Sequence, residues 1–292
     1  MRIILFSRRE VKHTPAEIVQ LFDAIRRSGL DFAVNAEFAG YVREAAGIAI
    51  PAERIYGECV GAQPDGTLMV CYGGDGTLLE GVHRLQGAPI PVMGINAGHL
   101  GFLTGAPTAG MERIFGEIAA GRIEVEPRTL LTVEGSFSEA PRSPLALNEF
   151  SVQRRGAGMI SVETCVNGQM VATYHGDGVI ISTPTGSTAY SLSAGGPVVA
   201  PQCACLVVTP IAPHNLTMRP VVVPDSSTIS LYIRARRADA FVTLDNRTYP
   251  VGEGASFTVH KAERPIFLAV PHNISFYDTL RNKMMWGIDI RS

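Results

Sequence analysis

Thr67-Leu68-Met69-Val70-Cys71-Tyr72 runs straight into Gly73-Gly74-Asp75-Gly76-Thr77 and then into Leu78-Leu79-Glu80-Gly81-Val82-His83-Arg84-Leu85. The first segment is apolar with β propensity, and the last has a helical pattern. A strand that breaks into glycines before a helix is how α/β proteins hold phosphate. Residues without side chains let backbone N–H groups approach the anion, and the helix N-terminus adds partial positive charge. A bare carboxylate, Asp75, is unfavourable beside phosphates unless it binds a metal ion or takes a proton from an attacking hydroxyl. Its plainer role would be the N-cap of a tight strand–helix turn. No Gly-Lys-Ser/Thr follows, which excludes a Walker A loop, and no G-x-G-x-x-G occurs in the chain, which excludes the dinucleotide fingerprint.

The same rhythm extends to both sides of this loop. Ile3–Phe6 reads as a first strand. Thr14-Pro15-Ala16-Glu17 is a capping box with proline at the first helical position, and Ile18, Val19, Leu21, Phe22 and Ile25 follow at helical spacing up to Gly29. Phe32–Val34 and Ile90–Ile95 read as further strands, the latter leading into Asn96-Ala97-Gly98-His99-Leu100-Gly101-Phe102. Alternating strands and helices imply a parallel sheet with ligands at the carboxyl ends of its strands. Beyond about residue 122 the pattern becomes one of short β-rich runs, at 129–134, 160–166, 170–174, 178–183, 205–209, 229–235, 240–245 and 266–270. Asn167-Gly168 between two of them is a hairpin turn. The expected fold is therefore an α/β domain with a parallel sheet, 1–122, and an all-β sandwich, 123–271, with the tail 272–292 returning to the first domain.

Composition sets limits on partners. Of 292 residues, 46% are apolar and 18% charged, a globular balance, and the formal charge of −2 gives no support for nucleic acid as the main partner. The apolar start, Ile3 to Phe6, is too short for a signal peptide, and no apolar run approaches a membrane span, so a cytoplasmic protein without a membrane partner is expected. Five scattered cysteines, four in apolar surroundings, fit reduced core residues better than a disulfide framework, and neither Cys203-Ala-Cys205 nor the histidines give a metal-binding spacing.

A second polar constellation occupies 177–197, Asp-Gly-Val-Ile-Ile-Ser-Thr-Pro-Thr-Gly-Ser-Thr-Ala-Tyr-Ser-Leu-Ser-Ala-Gly-Gly-Pro. A β run opens into hydroxyls, glycines and one aromatic, Tyr190, a set suited to a sugar, an amide and an adenine ring. An ordinary Ser/Thr-rich surface loop is the alternative. Asn148-Glu149, between Leu147 and Phe150, is a third polar island, either a strand end satisfied by backbone or a ligand clamp.

Together these stretches resemble the NAD kinase family. The resemblance rests on Gly73–Thr77, on 96–103, on Leu147-Asn148-Glu149, on 177–197, and on Pro210-Ile211-Ala212-Pro213-His214-Asn215-Leu216 with Arg219-Pro220. It spans most of the chain from about residue 67 onward. The glycine loop alone is shared with lipid kinases and phosphofructokinases; 177–197 is far more discriminating. The resemblance implies phosphoryl transfer from ATP to the 2′-hydroxyl of the adenosine ribose of NAD. A divalent cation such as Mg²⁺ would arrive with ATP, and the enzyme would be a homodimer or homotetramer. It further implies Asp75 as base, Gly73, Gly74, Gly76 and Thr77 around the phosphates, and Asp75 and Gly76 also against NAD. Asn148 and Glu149 would hold adenine and ribose hydroxyls, and Asp177 the nicotinamide side. Thr185, Thr188, Ala189, Tyr190 and Ser193 would line the adenine–ribose region, Phe102 would pack on adenine, and Asp245 would stand near the reacting ribose. Where the family commonly has Asp-Gly, this chain has Asp245-Asn246-Arg247, and His175 occupies a variable position before Gly176-Asp177. A lipid kinase would need an apolar acyl channel, which the polarity of 177–197 disfavours, and a silent dinucleotide sensor would have no need of Asp75.

Overall fold

The computed structural model describes residues 1–8, 13–96, 101–104, 106, 107, 110–234, 240–271 and 275–286. Residues 97–100 of the Asn96–Phe102 motif lie outside the described residues, as does the end of the tail. The chain opens with β1 (Arg2–Phe6), α1 (Pro15–Ser28), β2 (Asp31–Asn35), α2 (Ala36–Ala46) and β3 (Ile55–Tyr56). The glycine loop follows β4 (Thr67–Tyr72) and opens α3 (Asp75–Leu85). Then come β5 (Val92–Asn96), β6 (Ala106–Pro107), α4 (Met111–Ala119) and β7 (Ile123–Arg128). The capping box forms as the sequence indicates: the Glu17 N–H donates to Thr14 Oγ1, the Thr14 N–H donates to Glu17 Oε2, and Gly29 ends α1 at φ 69°.

A strand-only stretch follows: β8 (Leu131–Gly135), β9 (Leu145–Ala146), β10 (Glu149–Arg154), β11 (Ile160–Val166), β12 (Gln169–Gly176) and β13 (Gly178–Ser182). After the four-residue helix α5 (Tyr190–Ser193) come β14 (Cys205–Ile211), β15 (Val221–Pro224), β16 (Ile229–Arg234), β17 (Ala240–Leu244), β18 (Arg247–Val251) and β19 (Ser256–Lys261). The chain closes with β20 (Ile266–Pro271) and α6 (Phe276–Met284).

Two compact units result, Met1–Pro127 with Ile266–Ser292, and Arg128–Pro265. The first holds a sheet of order β3-β2-β1-β4-β5-β20-β7, with β6 beside β5. Its pairs β1–β2, β1–β4, β2–β3, β4–β5 and β5–β20 are parallel. From β1 the chain winds outward one way to β3, then crosses back to β4 and β5 on the other side. The carboxyl ends of β1 and β4 are thus a topological switch point, where α/β sheets leave a crevice for ligands. Helices α1, α2 and α4 bury Ile18, Phe22, Phe38, Val42, Ile114 and Phe115 against the sheet. Residues 123–128 and 266–271, grouped by their β rhythm with the second domain, are strands of this first sheet. A period of two identifies a strand but carries no information about which sheet will pair with it.

The second unit stacks two antiparallel sheets, β15-β14-β13-β10-β17-β18 and β12-β11-β16-β19-β8-β9. Phe150, Val179, Leu206 and Val242 of one sheet and Val133, Val162, Leu231 and Phe257 of the other form one core. Asn167 and Gly168 turn β11 into β12 with φ of 51° and 76°, the left-handed pair a tight hairpin needs. The cysteines correct an expectation. All five are free, but only Cys71 is fully buried, while Cys59 and Cys203 are exposed.

Candidate functional site

In the first unit the switch point carries the glycine loop. Gly73 has φ 153°, and a Cβ there would lie 2.4 Å from Thr77 Oγ1, so only glycine lets Thr77 fold back over the strand end. Gly74 is the N-cap of α3, and its carbonyl accepts from the Thr77 N–H at 2.8 Å. The N–H groups of Asp75 and Gly76 fall in the first helical turn, which has no intrahelical acceptor to offer them. Asp75 is the first helical residue and does not cap α3.

The Asp75 carboxylate reaches across to the segment after β5. Oδ2 accepts from the Phe102 N–H at 2.9 Å, and Oδ1 accepts from the N–H groups of Leu103 (3.2 Å) and Thr104 (3.0 Å) and from Thr104 Oγ1 (2.9 Å). Gly101 makes this approach possible, since a Cβ there would sit 1.8 Å from Asp75 Oδ1. Phe102 is therefore held beside Asp75, and Lys283 of α6 places its Nζ 5.5 Å from the centre of the Phe102 ring. Arg8, just past β1, brings Nη1 to 3.4 Å from where a Gly76 Cβ would stand. Neither cation stands out in the sequence, because each lies far along the chain from the loop it approaches. The strand ends are tied together beneath them: Ser7 Oγ donates to Tyr72 O at 2.7 Å and lies 2.9 Å from His13 Nε2. His13 is stacked on Tyr72, and burial lowers its pKa to about 4, so it is neutral.

In the second unit Asn148-Glu149 lies where the chain passes from one sheet to the other, from β9 to β10. Such a crossover interrupts the ladder, and every backbone polar group at 147–149 finds another partner. Asp245 accepts from the N–H groups of Leu147 (2.8 Å), Asn148 (2.7 Å) and Glu149 (3.1 Å). Thr183 Oγ1 donates to Leu147 O, the Thr183 N–H to Asn148 O, and the Asp245 N–H to Glu149 O. Asp245 has φ 51°, a left-handed turn conformation that aspartate tolerates better than most side chains. Gly186 lies against this segment with no room for a Cβ, which would be 2.0 Å from Asn148 O.

The side chains are left over. Asn148 Oδ1 and Glu149 Oε2 are buried and have no hydrogen-bond partner. Burial first, and then the neighbouring Asp245 carboxylate, push the Glu149 carboxyl up to about 8, against the opposing pull of a backbone hydrogen bond from Tyr190. Buried polar atoms without partners are uncommon, and two on consecutive residues, on a backbone whose own groups are all paired, call for a polar ligand. Around them stand Thr185, buried, and Thr188, whose Oγ1 donates to Thr185 O. Ala189 leads into the half-exposed Tyr190, whose hydroxyl is 3.5 Å from Gln153 Oε1. Ser193 ends α5 and is exposed.

Asp177 is not an idle acceptor. Arg154, at the end of β10, meets it through Nε at 2.6 Å and Nη2 at 3.4 Å, a two-point ion pair with the residue between β12 and β13. Sequence reasoning missed Arg154, which lies in the polar-looking strand β10. Arg247 also finds partners, the carbonyls of Ser143 and Leu145. His175 Nδ1 is 2.7 Å from Ser161 Oγ on an exposed strand face.

Residues 60–123 match the model of the ATP-NAD kinase N-terminal domain, and residues 147–271 match that of the ATP-NAD kinase C-terminal domain. The chain is 35% identical over 292 residues to an NAD kinase of Bacteroides fragilis, covering 100% of both. It is 35% identical over 295 residues to that of Flavobacterium psychrophilum, again covering 100% of both. Among solved structures it is similar to yeast NADH kinase complexed with NADH, with a TM-score of 0.84 and 23% identity, covering 100% of this chain and 89% of that one. It is also similar to an Archaeoglobus fulgidus NAD kinase in complex with ATP, with a TM-score of 0.72 and 27% identity, covering 98% of each chain.

Proposed function

The chain belongs to the NAD kinase family, and from that premise we infer that it transfers the γ-phosphoryl group of ATP to the 2′-hydroxyl of the adenosine ribose of NAD, giving NADP and ADP. The observation that carries the assignment of residues is the pair of buried, unpartnered atoms, Asn148 Oδ1 and Glu149 Oε2, on a backbone whose own polar groups are all taken. A ribose diol or adenine edge supplies the partners they lack. Thr185, Thr188, Ala189, Tyr190 and Ser193 complete the adenine–ribose surface, with Tyr190 offering a half-exposed ring face. Asp177, held by Arg154, receives the carboxamide of the nicotinamide. Asp245 acts through the backbone of 147–149, setting where the clamp stands.

In the first unit, Gly73, Gly74, Gly76 and Thr77 give the phosphates close backbone approach at a helix N-terminus. Arg8 and Lys283 supply the counter-charge that a Walker lysine gives elsewhere, and Phe102 packs on the adenine side. In the reaction the 2′-oxygen forms a bond to Pγ as the bond from Pγ to the β,γ-bridging oxygen breaks, and the hydroxyl proton passes to Asp75. Phosphoryl transfer through a loose transition state requires little proton removal until late. Asp75, which accepts four hydrogen bonds, first orders Phe102–Thr104 and accepts the proton once one of those bonds is released. Among the described residues no group of three His, Cys, Asp or Glu side chains is gathered, and the Asp75 carboxylate already accepts four hydrogen bonds. The divalent ion belongs with ATP as part of that substrate. A cytoplasmic location accords with five free cysteines, and among the described residues no helix is long and apolar enough to cross a membrane. Assembly as a homodimer or homotetramer through the β unit accords with exposed Met170 and Val171 on the edge strand β12.

The test is NADP formation from NAD, ATP and Mg²⁺ by the intact chain and by Asp75→Asn. Asparagine removes the proton acceptor and turns an N–H₂ group toward backbone donors, so turnover should fall about 10²–10⁴-fold at any Mg²⁺ concentration. No NADP from the intact chain would overturn the function. Near-normal turnover in Asp75→Asn would overturn the role of Asp75 alone.

A further inference from the structure

Arg247 is a charge just past the Asp245-Asn246 turn whose partners the sequence does not reveal, and the structure supplies two. Strand β9 is two residues long and lies at the edge of its sheet. Pro144 O accepts from the Val133 N–H of β8 at 3.0 Å. Carbonyls alternate along a strand, so those on either side, Ser143 and Leu145, face away from the sheet with no ladder partner. Arg247 donates from Nη1 to Ser143 O and from Nη2 to Leu145 O, both at 2.9 Å. Two residues earlier in the same hairpin turn, Asp245 takes the N–H groups of 147, 148 and 149. One turn thus grips the run 143–149 with a cation on its carbonyls and an anion on its amides.

We propose that Arg247 is a positioning residue for dinucleotide recognition: it replaces the missing ladder partner of β9 and so fixes the approach of the chain to Asn148 and Glu149. The inference rests on the assignment of those two residues to NAD given above. A planar guanidinium presents N–H groups to two carbonyls in one fixed geometry, which the rotatable donors of a lysine ammonium do not hold. Arg247 touches no substrate itself, so its effect belongs in NAD affinity and not in the chemical step.

The experiment compares the Michaelis constants of the intact chain, Arg247→Ala, Arg247→Lys, Asn148→Ala and the Asn148→Ala/Arg247→Ala pair. Arg247→Ala should raise KM for NAD about tenfold with kcat and KM for ATP changed less than about twofold, the pattern of lost uniform binding. Arg247→Lys should fall between, with a rise of about threefold, and it carries the test if Arg247→Ala proves too unstable to assay. In the Asn148→Ala background the further loss of Arg247 should raise KM less than it does in the intact chain, because the part of its effect that acts through Asn148 is already gone. An unchanged KM for NAD in the Arg247 variants, or a rise in the double variant equal to the product of the single ones, overturns the inference. An unchanged KM in Asn148→Ala instead overturns the NAD assignment on which it rests.

Discussion

Two aspartates do the same job in different units. Asp75 collects the backbone N–H groups of 102–104, and Asp245 collects those of 147–149. Each carboxylate orders a stretch of backbone, one that includes Phe102 and one that includes Asn148-Glu149. Glu149 is the opposite kind of acid. Its carboxyl rises from 4.5 to about 8, chiefly through burial, so the folded chain keeps a proton there that the unfolded chain releases. Stability on this account falls as pH climbs from 4.5 toward 8 and is level above that. Glu149→Gln removes the titration. The variant should come close to the intact chain in thermal unfolding near pH 5 and exceed it by roughly 3–5 kcal/mol near pH 8.5. KM for NAD should rise above pH 8 in the intact chain and stay flat in Glu149→Gln. Equal melting of the two proteins at both pH values would refute the raised acid.

At the level of elements, glycines separate into those that space requires and those that nothing requires. Gly101 faces the Asp75 carboxylate, where a Cβ has no room, whereas Gly116 inside α4 has nothing within 4 Å. Gly101→Ala should force apart Asp75 and 102–104, costing about 1–3 kcal/mol and most of the turnover. Gly116→Ala should stabilise the protein by about 0.5–1 kcal/mol and leave turnover alone. Thermal unfolding and NADP formation check both, and an active Gly101→Ala would show that the Asp75 contacts are dispensable. The capping box, the Asn167-Gly168 hairpin and the strand–glycine–helix unit were legible because each is specified by residues within one turn of the other. The crossover from β9 to β10 was not legible. Glu149-Phe150-Ser151-Val152-Gln153-Arg154 has the alternation of a half-exposed strand, yet Glu149 and Ser151 are buried as well, because β13 and β17 flank it on both sides.

For the molecule as a whole, β20 is the decisive element. It stands between β5 and β7 in the first sheet, although more than 130 residues of the second unit separate it from β7. A chain ending at Pro265 would lack an interior strand. Its helical circular dichroism should collapse, because among the described residues every helix longer than four residues lies in the first unit. The antiparallel second unit has a core of its own and should keep its β signal. A truncated chain with full helical signal would show that β20 is an ornament to the sheet.

The sequence by itself determined the two fold classes, the strand–glycine–helix loop and the polar stretches at 148–149 and 177–197, because these depend on periodicity, turn chemistry and residues close together along the chain. Only the tertiary structure decided what each acidic side chain does. It tied Asp75 to 102–104, Asp245 to 147–149 and Asp177 to Arg154, and it delivered Arg8, Lys283 and Arg247 to their places. Those pairings join residues tens of positions apart. Whether a carboxylate is spent on backbone amides, matched by a cation or left buried with its proton depends on which groups the sheets bring within hydrogen-bond reach, and local sequence holds no record of that.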